Sequence, residues 1–212
     1  MTAIAPASNR TAVVVAVAVV VIAVGALVVA HVVPQKALIA TAMMVFLLTG
    51  VVSRRFDELG LLAVAACTAG LGWSFGLWCS FRDFPLLPGL AGAGVVVAAT
   101  VVAARSWQGD PVVVHGRLLA AQTVMLVLMV LSWGRFKSGV LGVGVGLLFV
   151  GWGAVNLFAQ VALAASDNDD NARTVRAAAI LRAGADVCWN ALVTWARLLP
   201  DDDSSDGADL FG

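Results

Sequence analysis

Five polar side chains stand out because they lie within or next to long apolar stretches. They are two glutamines, one asparagine and a pair of opposite charges: Gln122, Asn156, Gln160, Arg182 and Asp186. Inside a lipid bilayer, amides bond neighbouring helices or contact a solute, and ionisable groups mark ion paths or substrate sites. Residues four apart share one helix face, as Asn156 and Gln160 do, and as Arg182 and Asp186 do. We interpret the five residues as a polar path or as contacts between helices.

The sequence offers no recognisable catalytic or cofactor chemistry. The nucleophile elbow, the His-Glu-x-x-His zinc motif, the Rossmann glycines and the Walker A loop are all absent. The two histidines, His31 and His115, fall at the ends of apolar segments, which argues against bis-histidine haem. The cysteines lack zinc-ligand spacing and are interpreted as small apolar fillers: Cys67, Cys79 and Cys188. No catalytic residue, metal site or cofactor is predicted.

The composition places the chain in lipid. Of its 212 residues, 61% are hydrophobic and 12% charged, and the mean hydropathy is +0.96; soluble domains carry about 25% charged residues. Lys and Arg number 13, equal to Asp and Glu, so no basic surplus exists to attract nucleic acid. We therefore predict an all-α integral membrane protein.

Six apolar stretches are long enough, or nearly long enough, to cross a bilayer, which takes about 20 residues. After a short N-terminal tail over 1–11, a transmembrane domain over 12–164 is predicted, with spans at 12–33, 37–52, 59–80, 89–104, 117–133 and 139–164. Small residues four apart let helix backbones approach closely. Two such pairs, Gly72 with Gly76 and Gly142 with Gly146, are predicted to lie at helix contacts.

The C-terminal segment over 165–199 contains a sided helix between residues 172 and 199. Its polar arc includes Arg182, Asp186 and Asn190, while two tryptophans and several leucines occupy the remaining arc. This pattern is typical of an amphipathic helix lying in the membrane interface, which is the placement we favour. A seventh bundle helix whose polar face meets a pore or a partner is the alternative. Residues 200–212 form an acidic tail.

The positive charges favour a cytoplasmic N-terminus. Lys and Arg concentrate in cytoplasmic loops, and in a six-span topology the N-terminal side carries the larger set. That set is Arg10, Arg54, Arg55, Arg105, Arg117, Arg173 and Arg176, against Lys36, Arg82, Arg135 and Lys137 on the opposite side. The predicted location is the cell membrane, with both termini inside for six spans.

The two halves of the transmembrane domain resemble each other weakly. When residues 13–78 are laid over 95–157, Met44 meets Met125, and Gly72-Trp73 meets Gly151-Trp152. Each unit, 12–80 and 89–164, holds three spans, so a duplication would place the second unit upside down relative to the first. The alternative explanation is shared low complexity in a chain rich in Val, Ala and Leu.

These observations lead to two functional hypotheses. The first is a non-enzymatic accessory or assembly subunit, with the lipid bilayer and a membrane protein or a second copy as partners. The second is a small channel or uncoupled transporter built from inverted three-helix halves. Its polar path would use the five residues named above.

Overall fold

The computed structural model describes residues 9–81, 84–131, 138–167 and 169–199. Within these ranges the regular secondary structure is helical, without strands. In chain order the helices are α1 (Asn9–Val32), α2 (Gln35–Arg54), α3 (Phe56–Leu59), α4 (Leu61–Ser80), α5 (Leu86–Ser106), α6 (Pro111–Leu131), α7 (Ser138–Ser166), α8 (Asp170–Val175) and α9 (Ala177–Ala196). The acidic tail, 200–212, lies outside the described residues.

Five of the described helices are long and apolar enough to cross a membrane. They are α1, α2, α4, α5 and α7, whose qualifying stretches are Arg10–Val32, Gln35–Arg54, Leu61–Ser80, Leu86–Ser106 and Leu141–Ser166. In α6 the described apolar stretch is shorter, Val112–Met125. The predicted helical class is therefore confirmed, while the count of six or seven spans stays a prediction.

The third predicted span begins two residues later than the sequence suggests. Gly60 adopts φ +58°, a left-handed conformation that glycine reaches at little cost. It ends the short helix α3 and begins α4 at Leu61. Arg55 pairs with Glu58 across α3 at 2.9 Å, with both side chains largely exposed. The turn thus separates a charged loop from the apolar helix.

In the first half of the chain, α1 and α2 both pack against α4. Gly72 of α4 faces Gly25 of α1, and Gly76 lies against Val29, so α1 and α4 run in the same direction. The Gly72 and Gly76 pair is at a helix contact, as predicted. On the other side of α4, the Trp73 indole donates to the Thr41 hydroxyl at 3.0 Å, within the antiparallel contact between α2 and α4.

In the second half, α5 and α6 both pack against α7. The C-terminal part of α5 meets α7 through Ala104 and Leu157, which are buried in one cluster, and through the edge-to-face rings of Trp107 and Phe158. Along α6, the contacts with α7 run antiparallel. In both halves, therefore, the third long helix contacts the two that precede it.

The C-terminal helix α9 lies inside the bundle. It packs against α7, α5 and α4 and also contacts α1 and α2, and none of its residues from Ala177 to Ala196 is exposed. An interfacial helix would leave one face outside the bundle, whereas the apolar arc of α9 fills the space between the two halves. Whether the segment lies in the membrane interface or crosses the bilayer as a seventh span stays a prediction.

The amphipathic segment predicted over 172–199 is also divided in two. The short helix α8 begins after Asp169, whose carboxylate accepts from the Asn171 backbone N–H at 2.9 Å. A turn at Arg176 separates α8 from α9. A carboxylate at a helix N-terminus satisfies a backbone donor that has no partner within the helix.

Candidate functional site

The site is built around Arg182, one and a half turns into α9. Its guanidinium carbon lies 3.9 Å from the centroid of the Phe46 ring on α2, which is close enough for a cation–π contact. Gly50, one turn further along α2, leaves space beside it, since a Cβ there would stand 3.4 Å from Arg182 Nε. The guanidinium group of Arg182 thus packs against α2.

Arg182 forms an ion pair with Asp186 within α9. Its Nη1 donates to Asp186 Oδ1, and the two side chains are 11% and 30% exposed, respectively. One turn further on, Asn190 Nδ2 donates to the Asp186 backbone carbonyl at 2.8 Å. Enclosed charges are tolerated when they are paired and hydrogen-bonded. The structure therefore brings Arg182 and Asp186 together, as their spacing predicts.

An aromatic cluster fixes the face of α9 next to the ion pair. The Trp189 ring stacks on Phe46 with 4.5 Å between centroids. It meets Phe75 and Trp78 of α4 edge-to-face at 5.8 and 5.5 Å. Because such ring pairs restrict rotation and add to the burial energy, the rotational setting of α9 is well determined. This setting orients Arg182 towards α2.

The opposite flank of α9 rests on glycines of α7. A Cβ at Gly153 would stand 2.9 Å from the Val187 backbone nitrogen, and one at Gly146 would collide with Thr194. Absence of these side chains lets the two helices approach closely. This confirms the helix contact predicted at Gly146, while Gly142 lies against the Arg197 side chain just beyond α9. The α7 helix therefore covers the flank of α9 that carries Val187 and Thr194.

The polar side chains of α9 lie between the regions covered by α2 and α7. At 100° per residue, Val187 and Thr194 point about 120–140° away from Arg182, whereas Asp186 and Asn190 point about 40° and 80° away. The described parts of α2 and α7 share no substantial interface. We name the α9 face formed by Arg182, Asp186, Asn190 and Val193 the polar groove; α2 and α7 are its two walls.

Asn156 and Gln160 bond two different neighbours. Asn156 Oδ1 lies 3.0 Å from His115 Nε2 of α6, and its Nδ2 donates to its own helix at Trp152. Gln160 Oε1 accepts from Arg176 Nη1 at 3.4 Å. The guanidinium of Arg176 also lies over the Phe56 ring at 5.1 Å. These two amides therefore contact neighbouring segments of the chain.

Gln122 lies apart from the polar groove. It lines a shallow pocket between α6 and α7 with Leu148, Phe149 and Trp152, and its Oε1 is buried without a hydrogen-bond partner. The five predicted residues thus occupy three places: the α6–α7 pocket, the α7 hydrogen bonds and the polar groove. In the structure these five residues do not form one continuous polar path.

Three residues of these sites were missed by the sequence reasoning. His115 was placed at the end of a predicted span, but α6 begins at Pro111, so His115 lies within the helix. Phe46 and Asn190 carried no signal beyond an apolar run and a polar arc. Their roles depend on which helix stands beside α9, and linear spacing does not contain that information.

Metal chemistry has no candidate cluster in the residues that the structure describes, since nowhere in them do three or more His, Cys, Asp or Glu side chains converge. The three cysteines are free, and Cys67 is buried. Comparison with known proteins adds no family: no family model, curated protein or solved structure matches the chain. The function must therefore be argued from the sites themselves.

Proposed function

We propose that this chain is a non-enzymatic multi-pass protein of the cell membrane that acts as an accessory or assembly subunit of a larger complex. The observation that carries the proposal is the polar groove. An ion pair and an amide line a partly open face of a helix that is surrounded by apolar helices. A charged side chain that faces lipid costs about 2.5–3.5 kcal/mol near the centre of a span. Association with a partner that covers this face would therefore be favourable.

In this proposal α9 crosses the membrane as a seventh helix. Its 20 residues span about 30 Å at 1.5 Å per residue, which matches a bilayer core. The N-terminus is cytoplasmic, so Arg54, Arg55 and Arg176 lie on the cytoplasmic side. Arg182 and Asp186 then lie within the inner half and near the middle of the membrane, respectively.

The proposal is tested by isolating the full chain from its own membranes in a mild detergent and weighing it by native mass analysis. A stable complex with another membrane protein is expected. An Asn190→Leu variant should recover less of this partner, because it removes a polar contact in the groove. The matched control is Asn156→Leu, the same substitution outside the groove, which should retain it. A lone monomer from native membranes would contradict the proposal.

A second candidate is an uncoupled carrier or channel built from inverted halves, and one observation favours it. The alignment that pairs Met44 with Met125 also places Thr41 opposite Gln122, with Trp73 opposite Trp152. Thr41 and Trp73 are hydrogen-bonded, and Gln122 and Trp152 line one pocket. Together with the shared packing order of the two halves, this supports a 3+3 inverted repeat.

The carrier hypothesis is tested by the flux of ions and small neutral solutes into proteoliposomes. If α9 lines the path, Asp186→Asn should reduce the flux by at least tenfold. The Asn156→Leu and Gln160→Leu substitutions are matched controls, because both amides are occupied by hydrogen bonds away from the groove. Equal flux through empty vesicles and through vesicles that contain the chain would remove this candidate.

A further inference from the structure

The polar groove has a shape and a charge pattern that select its occupant. We infer that it receives one membrane-spanning helix of a partner protein, and that this helix carries an uncharged hydrogen-bonding residue, Ser, Thr, Asn or Gln, near its middle. The inference rests on the proposed function and specifies the chemistry of the partner. The contact would pair that residue with Asp186 and Asn190.

The shape of the groove favours a single helix. Its floor is one face of α9, and α2 and α7 contact α9 on either side of that face through Gly50 and Gly153. Packed helices lie 8–10 Å apart, and a third helix laid against two others and a floor buries most of its circumference. Because α2 and α7 contact α9 about 120–140° apart around its axis, helices at these packing distances leave a sector one helix wide between them.

The charges of the groove favour a neutral partner. Arg182 and Asp186 are paired with each other, so their charges cancel, and an added charge would remain uncompensated. Hydrogen-bonding capacity is nevertheless left over, because Arg182 engages only Oδ1 of Asp186 and the Asp186 side chain is 30% exposed. A hydroxyl or an amide can supply both a donor and an acceptor, which a purely apolar helix cannot.

A second copy of this chain is a poorer occupant. In a two-fold dimer the same surface of each copy meets the other, so groove would face groove. The α2 and α7 helices of the two copies would meet first and keep the two α9 faces apart. Neither ion pair would then gain a partner. A protruding helix is needed, which points to a different protein.

The test uses synthetic membrane-spanning helices as probes, because their central residue can be chosen freely. Leu- and Ala-based helices with a central Asn, Leu or Lys are mixed in vesicles with the full-length chain, and association is measured by energy transfer between fluorescent labels. The Asn helix is expected to bind about three- to tenfold more tightly than the Leu helix, the range for polar contacts between helices in membranes. The Lys helix should bind no better than the Leu helix.

Two variants locate the contact. Asn190→Leu should abolish the preference for the Asn helix while leaving the ion pair in place. The double variant Arg182→Leu with Asp186→Leu should also abolish it, and its folding is checked by helical circular dichroism. Asn156→Leu, the same substitution outside the groove, is the matched control and should leave the preference unchanged.

Several outcomes would overturn the inference. Equal binding of the Asn and Leu helices would show that no polar contact contributes to association. A preference for the Lys helix would show that the groove selects a positive charge. Energy transfer between two labelled copies of the chain, lost in Asn190→Leu, would identify a second copy as the occupant. If a native complex is isolated while the probes show no preference, the inference alone fails. If no complex exists, the proposed function fails too.

Discussion

The helices α1 and α9 show opposite relations between composition and burial. In α1 the apolar residues dominate, yet of its described side chains only Ala18 and Ala26 are buried. In α9 two charges and an asparagine interrupt the apolar sequence, and ten of its twenty residues are buried. A helix of almost uninterrupted apolar sequence therefore lies at the outside of the bundle, and a helix with two charges in its middle part lies inside it.

This contrast is what a lipid environment dictates. Lipid is as apolar as Leu and Val side chains, so an apolar helix loses little by facing it. Polar side chains, by contrast, are stabilised only where they meet other polar groups inside the bundle. The usual association of apolarity with burial thus reverses for a membrane bundle, and four sets of substitutions test whether it reverses here.

Breaking the ion pair of α9 should have the largest effect. Arg182→Leu leaves Asp186 enclosed without its partner, which we expect to lower the free energy of unfolding by about 3–5 kcal/mol. The double variant with Asp186→Leu should recover most of that loss, because no unpaired charge remains. Unfolding of the purified chain in mixed detergent micelles measures both. If the single variant is as stable as the double variant, leaving Asp186 without its partner carries no penalty.

Truncating a buried apolar side chain of α9 should cause the second-largest loss of stability. Leu192 is 0% exposed and lies against Gly89 of α5, so Leu192→Ala should cost about 2–4 kcal/mol through lost packing. The matched change on α1 is Leu27→Ala, where the side chain is 58% exposed. It should shift stability by less than about 0.5 kcal/mol. Similar losses at both positions would break the contrast between the two helices.

Adding one methyl group between α7 and α9 should cause the third-largest loss of stability. In Gly153→Ala the new Cβ would stand 2.9 Å from the Val187 backbone nitrogen, so the helices must separate, at a cost of about 1–3 kcal/mol. Gly94 on α5 has nothing within 4 Å of a Cβ position. Gly94→Ala should therefore leave the thermal midpoint unchanged or slightly raised. A tolerated alanine at position 153 would contradict the close approach.

Removing the amide of Asn156 should have the smallest effect. Asn156→Leu breaks the contact with His115, and polar contacts between membrane helices average about 0.6 kcal/mol. The same micelle unfolding measures this loss, with His115→Leu as its partner in a double-mutant cycle. Additive losses in the cycle would show that the two side chains do not interact.

The sequence predicted the helical class and the five long apolar helices, because both depend on local composition. Gly72 and Gly146 were likewise assigned to helix contacts from their spacing alone. The position of α9 was not predictable in this way, since the same sided pattern suits a membrane surface and a bundle interior. Only the neighbours of Arg182, namely Phe46 and Gly50 some 130 residues earlier in the chain, distinguish the two.

If α9 crosses the membrane as proposed, its close contact with α7 also bears on how the chain is inserted. A helix with two charges partitions weakly into lipid by itself, whereas α7 is 29 residues long and strongly apolar. Because Gly146 and Gly153 allow α9 to lie directly against α7, we expect the two to insert together as a helical hairpin joined by α8. The topology of the last third of the chain would then be established in one step of biogenesis.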